Sequence, residues 1–256
     1  MKAFVILATV TFLASTTFAQ TDTPSGDCRT DWQHIATGLD YRTITCLGDR
    51  DDVDVHVVRI APQFFKFDVA YVTGGSTAAA EAAKRNARFV INANFFERDR
   101  TPIGLLVRSG DELQGRHRSS WQSIFFVDSS GQPHIVRLSE WPAFRSSAHM
   151  AVQAGPRIVV KGRINRVNKS YHAARAGVCL QKDGDLLFFA TPQDRKFDMW
   201  EIGRIAHRSG KSGGIGCYDA MLFDGGHSTQ IYIAGEDKTV RVDGDPVPVF
   251  VFATRK

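Results

Sequence analysis

Residues 219–229 read Asp219-Ala220-Met221-Leu222-Phe223-Asp224-Gly225-Gly226-His227-Ser228-Thr229. The apolar part of this stretch, Ala220 to Phe223, has the length of a buried strand rather than of a helix. The two glycines that follow permit positive φ and leave no side chain in the way of a ligand. The turn therefore crowds a carboxylate, an imidazole and two hydroxyls at a strand end, where α/β-type folds tend to present chemistry. A polar hairpin turn is the alternative, because Asp-Gly is also a frequent turn dipeptide.

Two other polar clusters lie near predicted strand ends. The first, Asn92-Ala93-Asn94-Phe95-Phe96, directly follows a short apolar run that predicts a buried strand. The second is dispersed along the chain and consists of Arg157, His172 and Arg175. Arginine is suited to the bidentate holding of a phosphate or a carboxylate. The clusters therefore predict a site for a polar, anionic ligand.

Together with the order of the predicted elements, these clusters resemble the phosphodiester glycosidase family over roughly residues 54–252. The matching stretches are Asn92-Ala93-Asn94-Phe95-Phe96 for the family's Asn-Gly-Gly-Phe-Phe, Gly155-Pro156-Arg157 for its Gly-Pro motif, Arg175-Ala176-Gly177-Val178 for its Arg-Thr-Ala-hydrophobic-Gly, and Asp224 to Thr229 for its Asp-Gly-Gly-Gly-Ser-Thr. Both glycines of the first motif are replaced, and His227 stands at the third glycine of the last. The family includes the uncovering enzyme, which removes N-acetylglucosamine from a sugar phosphodiester. The resemblance therefore implies a hydrolase that acts on such bonds.

The residue types themselves fit cleavage of a sugar 1-phosphodiester. A phosphate monoester is already a good leaving group, so the site needs a cation for the phosphate and a carboxylate for the oxocarbenium-like transition state. We expect Asp224 to act as nucleophile or base, Arg175 to hold the phosphate as a fork, and His227 to act as a general acid or base. The residues expected to bind substrate are Asn92, Asn94, Arg157, Gly225, Gly226, Ser228 and Thr229.

Each of these residues also has a structural interpretation. Asp224 and the two asparagines can serve only to form turns, and Arg175 can lie in an ion pair. The second functional hypothesis is a non-catalytic binding module for a sugar or a phosphorylated glycan, which the two replaced glycines and His227 favour. An acyl hydrolase based on Ser228 is disfavoured because no Gly-x-Ser-x-Gly elbow is present. No cofactor is expected, and a divalent cation such as Ca²⁺ stays an open question, since the oxygen ligands are present without a dense aspartate motif.

The amino-terminal end of the chain predicts export. Lys2 supplies a positive charge, residues 3–14 an apolar run, and Thr17-Phe18-Ala19 a small-residue cleavage context. We therefore expect a signal peptide over residues 1–19 and a secreted or periplasmic protein. The apolar run is too short to span a membrane comfortably and no second candidate follows it, so no stable membrane insertion is expected. The remainder divides into an N-terminal segment, 20–52, and a phosphodiester glycosidase-like domain, 53–256.

Four cysteines in an exported chain suggest two disulfides, for which the sequence alone permits three pairings. The nearest-neighbour pairing joins Cys28 to Cys46 and Cys179 to Cys217. The first bond would pin the N-terminal segment, and the second would brace the strand that leads into the Asp224 turn. Free buried thiols are the alternative for the second pair.

Hydrophobic periodicity predicts an α+β fold, with a strand-rich mixed-sheet core of about ten short strands and two main helices. The Ala-rich segment from Thr77 to Ala87 predicts the first helix. Asp198, followed three residues later by Glu201, predicts a capping box for the second. A formal net charge of +5 without a dense basic run argues against nucleic acid as the partner. The expected partner is a carbohydrate or sugar-phosphate substrate, and the sequence does not specify an oligomeric state.

Overall fold

The computed structural model describes Met1 and residues 31–46, 53–167, 169 and 171–256. Over these residues the chain forms eighteen strands and two α-helices. The first nine strands are β1 (Gln33–Ala36), β2 (Leu39–Ile44), β3 (Val55–Ile60), β4 (Phe65–Ser76), β5 (Phe89–Asn92), β6 (Leu106–Arg108), β7 (Asp111–Gln114), β8 (Ser123–Asp128) and β9 (Pro133–Arg137). The others are β10 (Ala148–Ala154), β11 (Arg157–Val160), β12 (Arg163–Ile164), β13 (Ala176–Leu180), β14 (Leu186–Ala190), β15 (Asp219–Leu222), β16 (Ile231–Ala234), β17 (Thr239–Val242) and β18 (Val247–Arg255). The helices are α1 (Ala78–Arg85) and α2 (Met199–His207).

The strands form three sheets. An eight-stranded sheet has the order β1-β2-β3-β14-β13-β15-β11-β12, and two five-stranded sheets have the orders β7-β6-β10-β8-β9 and β17-β16-β5-β18-β4. Within the described residues every strand pairing of these sheets is antiparallel. Strand β15 lies between β13 and β11, so the stretch that leads to Asp224 is a central strand of the largest sheet.

The three sheets meet at one aromatic cluster. Phe188 of β14 lies 4.5 Å, between ring centroids, from Phe89 of β5 and 5.7 Å from Phe125 of β8. The same ring also stacks on Phe223, which directly precedes the Asp224 turn. Each of these side chains is at most 2% exposed. Burial of one aromatic side chain contributes about 1.5–3 kcal/mol, so this cluster fixes the sheets relative to one another and to the turn.

Both predicted helices form, and each packs its apolar side against a sheet. Thr77 caps α1 by accepting a hydrogen bond from the Ala80 amide at 3.3 Å, and α1 ends where Asn86 turns left-handed at φ 50°. Asp198 forms the predicted capping box of α2 with Glu201. Helix α2 buries its apolar side against the face of the eight-stranded sheet opposite the aromatic cluster. That sheet is therefore buried on both faces near its centre, which explains continuous apolar runs such as that of β14.

The α+β class is confirmed, whereas the predicted number of about ten strands was too low and the sheets are antiparallel rather than mixed. Short, polar strands escape a search for apolar alternation. Strand β7, for example, is exposed along its whole length. Strands β1 and β2 lie in the segment assigned to residues 20–52, and β2 pairs with β3 from Leu39↔Ile60 to Ile44↔Val55. Residues 33–44 thus pack into the main sheet.

The predicted disulfide between Cys179 and Cys217 is confirmed, with Cα atoms 5.4 Å apart. It ties β13 to the segment just before β15, as expected from their places in the sequence. Residues 2–30 are not described, so the predicted signal peptide beyond Met1 and Cys28 of the predicted Cys28–Cys46 pair lie outside the described residues. In the part of the chain that is described, no helix has the length and apolar character needed to cross a membrane.

Candidate active site

The two glycines of the Asp224 turn are required by its backbone. A Cβ atom on Gly225 would lie 2.9 Å from the carbonyl oxygen of Ala174, so any larger residue would push the turn off the neighbouring chain. Gly226 has φ +61°, in the region that L-residues with side chains rarely adopt. The amide of Gly226 also donates to the Ala174 oxygen at 2.9 Å. The glycines therefore shape the turn, and their predicted contact with substrate stays a prediction.

The turn is anchored to the end of β5, where the Asn92–Phe96 motif begins. The backbone amide of Asp224 donates to the Ala93 carbonyl at 2.9 Å. The side-chain Nδ2 of Asn92 donates to the Asp224 backbone carbonyl at 2.7 Å. The Asn92 Oδ1 atom in turn accepts from the backbone of Gln230 at 3.0 Å. Asn92 is 1% exposed, and its side chain joins the end of β5 to the Asp224 turn and to Gln230. Its predicted contact with sugar hydroxyls stays a prediction.

The surroundings of the Asp224 carboxyl group raise its pKa. Burial raises the pKa of Asp224 from 3.8 to about 6, although hydrogen bonds from the Ser228 hydroxyl and the Gly225 amide act in the opposite direction. The Gly225 contact measures 3.0 Å. Desolvation disfavours the charged form of a carboxyl group, which is the cause of the upward shift. Asp224 therefore titrates closer to neutral pH than a solvated turn aspartate, and its catalytic role stays a prediction.

Asp224 lines a cleft of about 720 Å³, which we call the Asp224 cleft. Its walls combine aromatic, apolar and basic side chains; they are Phe95, Phe96, Ile103, His117, Arg118, Ser119, Ser120, Trp121 and Gln122. The Phe95 and Trp121 rings meet edge to face at 5.5 Å, and Trp121 is 51% exposed. An apolar wall with a few placed polar groups is typical of a small-molecule site. Asp224 is the one carboxylate among the described residues that line it.

The segment 115–122, which we call the basic loop, forms most of the opposite wall. It has no regular secondary structure, and one buried side chain holds it in place. The Oε1 atom of Gln153 in β10 accepts from the His117 amide at 3.1 Å, and its Nε2 donates to the His117 carbonyl and to Gln122 Oε1, each at 2.7 Å. Gln153 is 0% exposed. The motifs at strand ends do not include this loop, although the run Arg116-His117-Arg118 indicates a local concentration of basic side chains.

Arg175 lies behind the turn. It is 5% exposed, its Nε donates to the Phe197 carbonyl at 2.9 Å and its Nη2 to the Tyr171 carbonyl at 2.5 Å. Its Nη1 would lie 3.7 Å from a Cβ on Gly225, so the guanidinium borders the Asp224 turn. Burial lowers the pKa of Arg175 below its usual value. Arg175 is not among the residues that line the Asp224 cleft, and its role as phosphate ligand stays a prediction.

Arg157 is committed to another contact. Its Nη2 forms an ion pair with Asp219 at the start of β15, and it lines a different cleft from that of Asp224. The Asp219 carboxylate also accepts from the Lys161 amide at 3.1 Å. This arrangement ties β11 to β15 and does not bring Arg157 together with Asp224 in one cleft.

The remaining predicted residues differ in their surroundings. His227 is exposed, and Ser228 hydrogen-bonds to Asp224. Thr229 is 0% exposed and its hydroxyl has no hydrogen-bond partner in the described part of the chain. Asn94 donates to the Leu105 carbonyl at 3.1 Å, while its Oδ1 is buried without a partner among the described residues. Only Ser228 of this group acts directly on the Asp224 carboxylate.

One group in the described residues has the spacing of a metal site, with ligand atoms of His172, Asp198 and Glu201 within 4.8 Å of one another. Both carboxylates already accept backbone hydrogen bonds in the α2 capping box. Asp224 does not belong to this group. A divalent cation held by Asp224 and the asparagines stays an open question.

Comparison with known protein families shows which family contains the Asn92, Arg157, Arg175 and Asp224 motifs. The chain matches the model of the phosphodiester glycosidase family over residues 85–252. The chain belongs to this family. The match contains β5, the basic loop, Arg157, Arg175 and the whole Asp224 turn, so it confirms the resemblance drawn from the motifs. No curated protein matches this chain in sequence.

Solved structures share the fold. The catalytic domain of zebrafish N-acetylglucosamine-1-phosphodiester alpha-N-acetylglucosaminidase, auto-inhibited by its pro-peptide, superposes with a TM-score of 0.64 at 14% identity, covering 90% of this chain and 92% of that one. A hypothetical protein from Synechocystis superposes with a TM-score of 0.60 at 14% identity, covering 86% of this chain. This chain spans 62% of the length of the Synechocystis protein. At such identities the likeness concerns the fold alone.

Proposed function

We propose that this protein hydrolyses a sugar 1-phosphodiester, breaking the bond between the anomeric carbon and the phosphate oxygen, with Asp224 as nucleophile or base. One observation carries this proposal: among the described residues that line the Asp224 cleft, one carboxylate, that of Asp224, shares the space with the basic side chains of His117 and Arg118. Glycosidases for ordinary sugars use two carboxyl groups, one of which protonates the leaving oxygen. A phosphate monoester leaves without such an acid, so one carboxylate suffices.

The cleft offers a separate place for each part of the substrate. The sugar ring fits against the Phe95 and Trp121 rings, next to the Asp224 carboxylate. The phosphate then faces His117 and Arg118 of the basic loop. Arg118 is exposed and has no ion-pair partner among the described residues, so its guanidinium is available as a fork for phosphate oxygens. Arg175 supports this site from behind the turn, where its charge acts on the same region.

The chemistry follows from the ionisation of Asp224. Above about pH 6 its carboxylate is charged, and it stabilises the positive charge that develops on the sugar ring or captures the anomeric carbon. The bond to the phosphate oxygen breaks, and the electron pair leaves with the phosphate monoester, whose charge Arg118 holds. Water completes the hydrolysis and yields the free sugar. The N-acetylglucosamine of the zebrafish enzyme's name supplies the first sugar to test.

The substrate is proposed to lie outside the cytoplasm, on an envelope or extracellular glycan. The Cys179–Cys217 disulfide fits an oxidising compartment, and the N-terminal signal predicts export.

The test uses N-acetylglucosamine 1-(methyl phosphate) and the corresponding glucose ester. The expected products are free sugar and methyl phosphate; sugar 1-phosphate and methanol would show that the other ester bond is cut and would refute the proposal. Asp224→Asn should lower kcat about 10²-fold or more, because a charge that acts in the transition state is lost. The matched control is Asp194→Asn, an aspartate with a side chain 73% exposed. Ligand binding without turnover in the wild-type protein would instead support a binding module.

A further inference from the structure

A second cleft, of about 960 Å³, adjoins the Asp224 cleft. The two share four residues of the basic loop, His117, Arg118, Ser119 and Ser120. Its other walls come from the segment around the end of β9 and from Trp141 to Arg145. A ligand that passes the basic loop can therefore occupy both clefts at once. We call this second space the arginine cleft.

The arginine cleft carries more positive charge than one phosphate requires. Arg116, Arg118 and Arg145 line it, and Glu112 is the one carboxylate among the described residues of its wall. Glu112 lies 3.1 Å from Arg145 Nε, but the Arg145 side chain is 66% exposed, so this pair is weak and leaves the outer guanidinium nitrogens open to a ligand. Arg116 uses Nη1 to donate to the Leu138 carbonyl at 2.9 Å, which orients the guanidinium at the wall.

A third cleft, of about 470 Å³, continues this pattern on the loop. It shares Ser119 and Ser120 with both other clefts and is lined by Arg137 and Arg166 as well. Both of these arginines are exposed, and neither has an ion-pair partner in the described part of the chain. The surface around the basic loop is thus cationic well beyond the position proposed for the scissile phosphate.

We infer that the arginine cleft binds the leaving side of the substrate, and that this leaving side is an extended chain carrying further phosphates, such as a glycan or polyol linked by phosphodiesters. The inference rests on the proposed function. A single diester carries one negative charge, which Arg118 and His117 can meet. The cleft keeps a surplus of positive charge beyond the Glu112 pair, and an anionic chain beyond the scissile phosphate would meet it.

Size and wall chemistry agree with this assignment. A cleft of several hundred Å³ is enough for a whole drug-sized ligand, so a small leaving group would not fill a second space of this size. Single-stranded nucleic acid is bound through exposed aromatic rings that stack on the bases. Trp141, the aromatic residue of the arginine cleft, is 1% exposed and cannot present its face to a base. The cleft therefore suits a phosphate-bearing chain without bases.

The test compares two substrates that share one scissile bond. The short one is N-acetylglucosamine 1-(methyl phosphate), and in the long one the methyl group is replaced by two further phosphodiester-linked sugars. The wild-type protein should have a higher kcat/KM for the long substrate, and added salt should reduce this preference by screening. Arg145→Gln should lower the ratio of the two kcat/KM values about fivefold, as expected for one phosphate contact at an exposed rim.

Arg241→Gln is the matched control. Its side chain is 60% exposed and lies 3.2 Å from Asp243, so it resembles the Arg145–Glu112 pair but lies on β17, outside the three clefts. This variant should leave the ratio at the wild-type value. Hydrolysis of both substrates with a ratio near one in every variant would overturn the inference while leaving the proposed function intact.

A binding measurement with the same two substrates distinguishes the outcomes in which no cleavage is seen. If neither substrate is cleaved, the proposed function fails; binding of the long substrate that Arg145→Gln weakens would still support the cleft as a site for phosphate chains. No binding would refute both proposals. Single-stranded DNA is included as a competitor, and a higher affinity for DNA than for the long substrate would overturn the assignment of the ligand class.

Discussion

The ionisation of Asp224 should be visible in the stability of the folded protein. Its pKa is 3.8 when unfolded and about 6 in the folded chain. A group whose pKa rises on folding stabilises the native state fully below its unfolded pKa, and this contribution is lost as the pH rises through the folded pKa. The wild-type protein therefore loses stability through Asp224 between about pH 4 and pH 6. The asparagine variant does not titrate and lacks this loss.

The magnitude follows from the shift. A difference of about two pKa units corresponds to about 3 kcal/mol at 1.36 kcal/mol per unit. Between pH 4 and pH 8, we expect the stability of Asp224→Asn relative to the wild-type protein to rise by about 2–3 kcal/mol. For a protein of this length that is an increase of about 5–10 °C in relative Tm. The same variant should be nearly inactive, so stability and activity should change in opposite directions.

Urea unfolding of both proteins at the two pH values measures this difference. Taking the change between pH values removes the constant effect of altering the hydrogen bonds from Ser228 and Gly225. Asp128→Asn is an informative comparison, because the hydrogen bonds from Ser130 and His134 help to lower the pKa of Asp128 to about 2 despite desolvation. Because this lowered pKa acts between about pH 4 and pH 2, the stability of Asp128→Asn relative to the wild-type protein should change little between pH 4 and pH 8 and should rise only below pH 4. An Asp224→Asn effect that is the same at both pH values would show that the carboxyl is not desolvated and would remove the electrostatic basis of the site.

Three further outcomes are expected. The kcat/KM for a sugar 1-phosphodiester should rise through about pH 6 as Asp224 ionises; a fall through that pH would identify the protonated carboxyl as the active form. Arg175→Lys should lower both activity and the free energy of unfolding, the latter by about 1–3 kcal/mol, because two buried hydrogen bonds to backbone carbonyls are lost; unchanged stability would contradict this structural role. Replacing Cys179 and Cys217 together by serine should cost about 2–4 kcal/mol for a sequence separation of 38, measured by denaturant unfolding, whereas an unchanged midpoint would show that the bond is not formed.

Local sequence determined several features that the structure confirms. The apolar run before Asp224 forms a strand because its side chains are buried on both sheet faces. The capping box of α2 forms where Asp198 predicts it, since a cap satisfies amides only a few residues away, and α1 forms within the predicted Ala-rich segment. The family motifs also lie in sequence-local stretches, so the turn and its two glycines could be recognised without coordinates.

Tertiary structure alone decided which residues share a cleft. Asp224 is separated by about a hundred residues from the basic loop, and no local pattern reports that Gln153 fixes this loop opposite it. The partners of Arg157 and Arg175 could not be predicted for the same reason. A sequence shows that a guanidinium is present, but not whether it binds an aspartate, as in Arg157, or a backbone carbonyl, as in Arg175. The raised pKa of Asp224 likewise depends on burial by chain segments that come together only in the fold, because desolvation is a property of the surroundings and not of the residue.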